Sequence, residues 1–254
     1  MLAQQYLLEV EKLMRHIRET QLSAVLQVAP KIVEHMGDTG TLFVFGASHS
    51  SMIAQEVYYR AGGLATVKAL FAPGLMLDQQ PVTMTSELER LEGLGRIVVR
   101  SHGLGARDVL VVVSTSGRNA VPIDAALEAK ERGAMVVALT SLPYSRSVPS
   151  RHSSSKRLFE VADVVLDTGT PAGDAAVDVP GTGKKMGPLS TVAGVLLINL
   201  LILQVVEELV ARGRDPAILV SGNLDGGHEA NLATYRRLGS SAFSQGDGPG
   251  REAR

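Results

Sequence analysis

The chain contains no cysteine. Disulfides, cysteine-ligated zinc, iron–sulfur clusters and thiol catalysis are thereby excluded. An excess of charge of either sign is also lacking. The 25 basic and 26 acidic residues leave a formal charge of −1, so nothing electrostatic points to nucleic acid or to an anionic membrane surface as a partner. No His-Glu-x-x-His occurs, hence no local zinc signature; neither a metal nor a cofactor is expected. The most apolar stretch, Val192 to Val206, is interrupted by Asn199 and Gln204. It falls short of the ~18–20 residues a spanning helix needs, and reads as a core helix or half of a dimer interface. The N-terminal segment, MLAQQYLLEVEKLMRHIRET, mixes acids into its apolar positions and shows no cleavage site, which argues against a signal peptide. The cytoplasm is the expected compartment.

What is present is a strong alternation of strands and helices. At 254 residues and 45% hydrophobic content the chain can bury a full core. Asp108 to Pro122 (DVLVVVSTSGRNAVP) organises the rest. Val109 to Val113 is an unbroken, mostly β-branched run, the pattern of a strand buried on both faces of a parallel sheet. It stops at Ser114-Thr115-Ser116-Gly117-Arg118-Asn119. The amphipathic helix expected over 123–132 follows Pro122, which suits a first helical turn. A hydroxyl-rich loop ahead of a helix N-terminus offers free N–H groups and the positive end of the helix dipole to an anion. A phosphate is the expected occupant. For each Ser and Asn, plain helix capping is the alternative.

The same unit occurs earlier. Thr41 to Phe45 reads as a buried strand, Gly46-Ala47-Ser48-His49-Ser50-Ser51 as its polar loop, and 52–60 as a helix closed by Gly62-Gly63. Further strands are expected over 65–71, at Ile97-Val98-Val99 (or a turn there), over 134–140 and over 164–166. Residues 4–36 carry helical spacing, with Pro30 bending the helix or starting a second one. The segment 78–96 is mixed and polar, with Glu87, Glu89 and Glu92 close together. Residues 168–188 form a long Gly/Pro/Thr loop, the kind usually functional or disordered. A long apolar helix over 189–212 follows, then a polar loop at 221–229 and a short helix. The units expected are a helical segment 1–36, a sheet domain 37–212, a loop and helix 213–239, and a disordered tail 240–254. The alternation implies an α/β, doubly wound parallel sheet, with both hydroxyl loops at strand carboxyl ends, where such sheets bind ligands.

Standard nucleotide motifs fail. Gly46 to Ser51 lacks the second and third glycines of a dinucleotide fingerprint. Gly181-Thr182-Gly183-Lys184-Lys185 lacks the upstream glycine, a place held by Asp178, and the Ser/Thr after the lysine of a P-loop. Gly46-Ala47-Ser48-His49-Ser50 resembles a hydrolase nucleophile elbow, with Asp167 and His228 in suitable chain order, yet Ser50 replaces its closing glycine and too few strands precede it.

Together, Gly46-Ala47-Ser48 after the first strand and Ser114-Thr115-Ser116-Gly117-Arg118-Asn119 after a later one resemble the SIS (sugar isomerase) domain, over about residues 35–210. With RAGG at 60–63, SRHSSSK at 150–156 and SGNLDGG at 221–227, the whole chain resembles a bacterial phosphosugar-binding subfamily of SIS proteins. The resemblance implies a flavodoxin-like five-stranded parallel sheet with long flanking N- and C-terminal helices, a homodimer or higher homo-oligomer, and a sugar phosphate as partner. It implies that Ser114, Thr115, Ser116 and Asn119 hold the phosphate, and that Gly46, Ser48 and Ser51 lie near the sugar. It further implies aldose–ketose isomerisation, or ether or amine cleavage, on a sugar phosphate or amino-sugar phosphate; a non-catalytic phosphosugar sensor built on the same pocket is the alternative. Such chemistry needs a base that moves a proton beside a carbonyl. Several relatives carry a carboxylate or His at the start of the last helix, but Gly187-Pro188-Leu189-Ser190-Thr191 offers no titratable side chain. The catalytic candidates are therefore His228, Glu229 and His49, which lie in polar loops, ahead of Glu56, His152 and Lys184.

Overall fold

The computed structural model describes residues 1–239; the expected tail at 240–254 lies outside the described residues. In chain order the elements are α1 (Leu2–Thr20), α2 (Leu22–Met36), β1 (Leu42–Gly46), α3 (Ser51–Val57), β2 (Val67–Ala69), α4 (Thr83–Leu88), α5 (Leu94–Ser101), β3 (Val109–Val113), α6 (Ala120–Glu131), β4 (Met135–Thr140), α7 (Leu142–Ser147), α8 (Leu158–Val161), β5 (Val164–Asp167), β6 (Ala175–Val179), β7 (Lys184–Pro188), α9 (Ser190–Ala211) and α10 (Gly227–Arg237).

Five strands form one parallel sheet in the order β2-β1-β3-β4-β5, the flavodoxin-like order. Every residue of β1 and β3 is buried, which is why their sequences show no alternation. The pleat still sorts them. Leu42, Val44, Val109, Val111 and Val113 join the core under α2, α3 and α9. Phe43, Phe45, Leu110 and Val112 join the core under α5, α6 and α8.

Several local expectations give way to packing. The first helical stretch breaks at Gln21, not at Pro30, which sits inside α2. The Thr20 hydroxyl returns to the His16 carbonyl, and the Gln21 side-chain oxygen accepts from the Asp167 backbone N–H at 2.9 Å. Ile97-Val98-Val99 is helical, within α5. Val98 and Val99 are buried while Ile97 is 60% exposed, so one side of a helix turn mimics a short strand in sequence. The Gly/Pro/Thr stretch 168–188 folds largely into the antiparallel hairpin β6–β7, and the Tyr6 hydroxyl of α1 donates to the Pro188 carbonyl at 2.7 Å. At 22 residues α9 is long and apolar enough to cross a membrane by length and composition, so the length argument against a span does not hold. Its packing supports a core role instead: Ala193, Leu197, Ile198, Leu201 and Val205 are buried against the sheet side of α2 and α3.

Candidate functional site

Strand order reverses between β1 and β3, and the crevice beyond their carboxyl ends is where a doubly wound sheet binds its ligand. A cavity of about 280 Å³ lies there, at the small end of ligand sites. Ser48, His49 and Ser50 form one wall, and Ser114, Thr115, Ser116 and Asn119 another. The two loops recognised in the sequence thus face one cleft.

Each loop is held by its backbone. Ser48, at a left-handed φ of 53°, donates its N–H to the Leu75 carbonyl at 2.7 Å. The buried Ser51 hydroxyl donates to the Ser48 carbonyl at 2.7 Å, so Ser51 shapes the loop and does not line the cavity. Gly46 likewise acts on the loop: a Cβ there would strike the Ser50 backbone. In the second loop Gly117 takes φ 58°, and a Cβ would meet Ser145 Oγ at 2.9 Å and Thr140 Oγ1 at 3.1 Å. The Gly117 carbonyl accepts from Leu158 N–H, and the Thr115 carbonyl from Ser141 N–H. Neighbouring strands and α8 therefore fix the peptide units, while the hydroxyls of Ser114, Thr115 and Ser116 have no hydrogen-bond partner among the described residues. Asn119 is the N-cap residue of α6, yet its side chain makes no capping bond; its Oδ1 accepts from Arg151 Nη1 at 2.9 Å. Simple capping does not account for this side chain.

Two carboxylates complete the lining, and sequence reading had picked neither. Glu89, just past α4, projects into the cavity. Its backbone carbonyl accepts the Val121 N–H at 3.1 Å, which docks this segment on the first turn of α6. Burial pushes the Glu89 carboxyl up from its ordinary value, partly offset by the nearby Asn119 amide and by the charges of Arg90 and Arg151. Asp174, at φ 68° before β6, reaches the start of α9. Its Oδ1 accepts from Leu189 and Ser190 N–H at 3.0 and 2.7 Å, and its Oδ2 from the Ser190 hydroxyl at 2.6 Å. A carboxylate does sit at the start of the long apolar helix α9, supplied across space by the segment before β6 and engaged as a helix cap.

His228 and Glu229 are not brought to this cleft within the chain. The helix α10 starts at Gly227, so both occupy its exposed first turn, not a loop. His228 lines a separate cavity of about 150 Å³ with Tyr59, Arg60 and Asn231. Asp167 accepts from Leu142 and Gly169 N–H. No Ser48–His228–Asp167 triad is assembled.

A five-stranded parallel sheet with paired hydroxyl loops at its switch point is the SIS architecture, and the SIS domain profile matches residues 5–141. The chain belongs to the SIS domain family. A UPF0309 protein of Shouchella clausii is 43% identical over 234 residues, covering 92% of this chain and 95% of that protein. Among solved structures, phosphoheptose isomerase GmhA from Neisseria gonorrhoeae superposes with a TM-score of 0.55 at 21% identity, over 79% of this chain and 95% of that one. A phosphoheptose isomerase from Francisella tularensis gives 0.52 at 18%, over 79% and 94%. At such identity the likeness concerns the fold.

Proposed function

We propose that this protein is an enzyme acting on a sugar phosphate or amino-sugar phosphate, by proton transfer beside a carbonyl: aldose–ketose isomerisation, or cleavage of an ether or amine. The observation that carries the reading is a half-buried carboxylate, Glu89, facing a wall of unengaged hydroxyls across one small cavity. Ser114, Thr115, Ser116 and the N–H groups opening α6 take the phosphate. Glu89, whose carboxyl burial pushes up, takes the proton as general base. His49, which also lines the cavity, serves as the acid toward a hydroxyl or ring oxygen. Two phosphoheptose isomerases share the fold, which agrees with the substrate class. Exposed Leu7, Leu8 and Met14 on α1 and Leu203 and Val210 on α9 support a homodimer.

The test is solvent exchange. Hexose, heptose and N-acetylamino-sugar 6-phosphates are incubated with the protein in heavy water, and deuterium at the carbon beside the carbonyl is followed by NMR. Incorporation with at least one of them is expected. Tight binding with neither incorporation nor turnover would replace the enzyme by a phosphosugar sensor.

A further inference from the structure

Two arginines stand beside the cavity without a paired counter-charge. Arg118 lies between the lining residues Ser116 and Asn119 in sequence. Arg151 directs Nη1 at Asn119 Oδ1, 2.9 Å away. The Arg151 N–H donates to the Arg118 carbonyl at 2.8 Å, which sets the two residues side by side. Neither guanidinium forms an ion pair among the described residues. Arg118 Nε is shut off from solvent and has no hydrogen-bond partner there. A buried donor on a charged group is costly to leave unpaired, so this atom calls for an explanation.

A shortage of carboxylates is not the reason, because those nearby bond elsewhere. Glu92 Oε1 accepts the Ser153 N–H at 2.6 Å. Asp124 accepts the Gly93 N–H at 2.6 Å and engages His152 Nε2 at 3.2 Å. Glu160 takes Nε and Nη2 of Arg157, each at 2.9 Å. Glu89 makes no hydrogen bond to either guanidinium among the described residues. The bonds at Ser153 and His152, with Ser150 Oγ donating to the Lys156 carbonyl at 2.7 Å, also fasten the loop that carries Arg151. The Arg151 guanidinium is held below its ordinary pKa, by desolvation first and then by the charges of Arg118 and Arg90. Positive charge is thus gathered at a fixed place with no anion bonded to it.

Position decides what the pair meets. Ser114, Thr115, Ser116 and Asn119 line the cavity, while Arg118 and Arg151 do not. At about 280 Å³ the cavity is at the small end of ligand sites, with room for little more than one phosphosugar. The guanidiniums therefore lie past the phosphate, where a group projecting beyond the cavity arrives. Planar guanidinium forks match the paired oxygens of carboxylate and phosphate. We propose that Arg118 and Arg151 form a second anion subsite, and that the ligand is a sugar phosphate carrying another acidic group, a carboxylate or a second phosphate. The proposal rests on the reading of the cavity as a phosphosugar site and narrows its substrate class.

Calorimetry on the full chain tests it with matched probes. 6-Phosphogluconate is compared with glucose 6-phosphate, and fructose 1,6-bisphosphate with fructose 6-phosphate. At least one doubly acidic ligand should bind about tenfold or more tighter than its counterpart, as a charged hydrogen bond implies. Which one gains tells carboxylate from phosphate. Arg118→Met and Arg151→Met should each remove most of that gain and cost the monophosphates far less. Arg151→Lys, which keeps a charged donor, should retain part of it. Arg151 is exposed, so its variants stay folded by urea unfolding and carry the test even where Arg118→Met does not. No gain for either doubly acidic ligand overturns the proposal. So does an equal loss for single and double anions in the arginine variants, which assigns both residues to the phosphate itself. Monophosphate binding that Ser116→Ala weakens, with no gain from a second acid, rejects the second subsite only. Absence of binding by all four probes rejects the phosphosugar site as well.

Discussion

Two glutamates separated by 39 positions, Glu89 and Glu128, are both surrounded by arginines and have opposite fates. Glu128 on α6 is 5% exposed and takes direct hydrogen bonds from Arg96, Arg100 and Arg132 at 2.8–3.1 Å. Those contacts outweigh its desolvation and hold its pKa down at about 2. Glu89 has Arg90 and Arg151 in range but no direct guanidinium bond among the described residues, and desolvation prevails. The difference teaches that the number of nearby cations does not decide a carboxylate's state. Direct donors do. One glutamate is a structural anion that ties α5 to α6; the other is kept uncompensated beside a cavity.

Substitutions can separate these roles. Glu89→Gln should lower turnover by about 10²–10⁴-fold, the usual worth of a general base, measured as initial rates on the substrate that exchanges. Its fold should not weaken. A raised carboxylate lets the folded state hold more protons than the unfolded one above the ordinary pKa, so stability falls as pH rises through that window; the amide removes this loss, and urea unfolding at neutral pH should show equal or greater stability. Glu128→Gln should do the reverse: a destabilisation of about 2–3 kcal/mol, discounted because its arginines are partly in water, read from the urea midpoint. For the wild type, Glu128 contributes stability that is present above pH ~4.5 and lost as pH falls toward about 2; an acid titration of Glu128→Gln should lack that component. Ser116→Ala should weaken phosphosugar binding by about 1.5–3 kcal/mol, or roughly 10- to 100-fold in Kd by calorimetry, with the unfolding midpoint unmoved. Asp174→Ala should cost about 1 kcal/mol in stability as a lost helix cap.

The sheet and its two loops were legible because uninterrupted β-branched runs have few structural alternatives, and because Ser114 to Asn119 interrupts one with hydroxyls alone. Glu89 was not legible. It lies in a polar segment with Glu87 and Glu92, where no period marks which side chain turns inward; that is decided by the Val121–Glu89 backbone bond across 32 positions. Asp174 was hidden for a similar reason, inside a Gly/Pro-rich stretch whose hairpin is set by pairing between Val177 and Met186 and their neighbours. His228 and Glu229 looked like loop residues because glycines precede them, yet Gly226, in a left-handed conformation, is the N-cap residue of α10.

The Tyr6–Pro188 hydrogen bond gives the cleft an unexpected dependency. The hairpin that delivers Asp174 to the rim is moored to the first helix of the chain, 182 positions away in sequence, and Tyr6 also packs on Gly187. The opposite end of the polypeptide thus serves as a foundation for one wall of the binding site. Loosening that mooring, as in Tyr6→Phe, is a lesion whose symptom should surface as weaker ligand retention far from the altered atom.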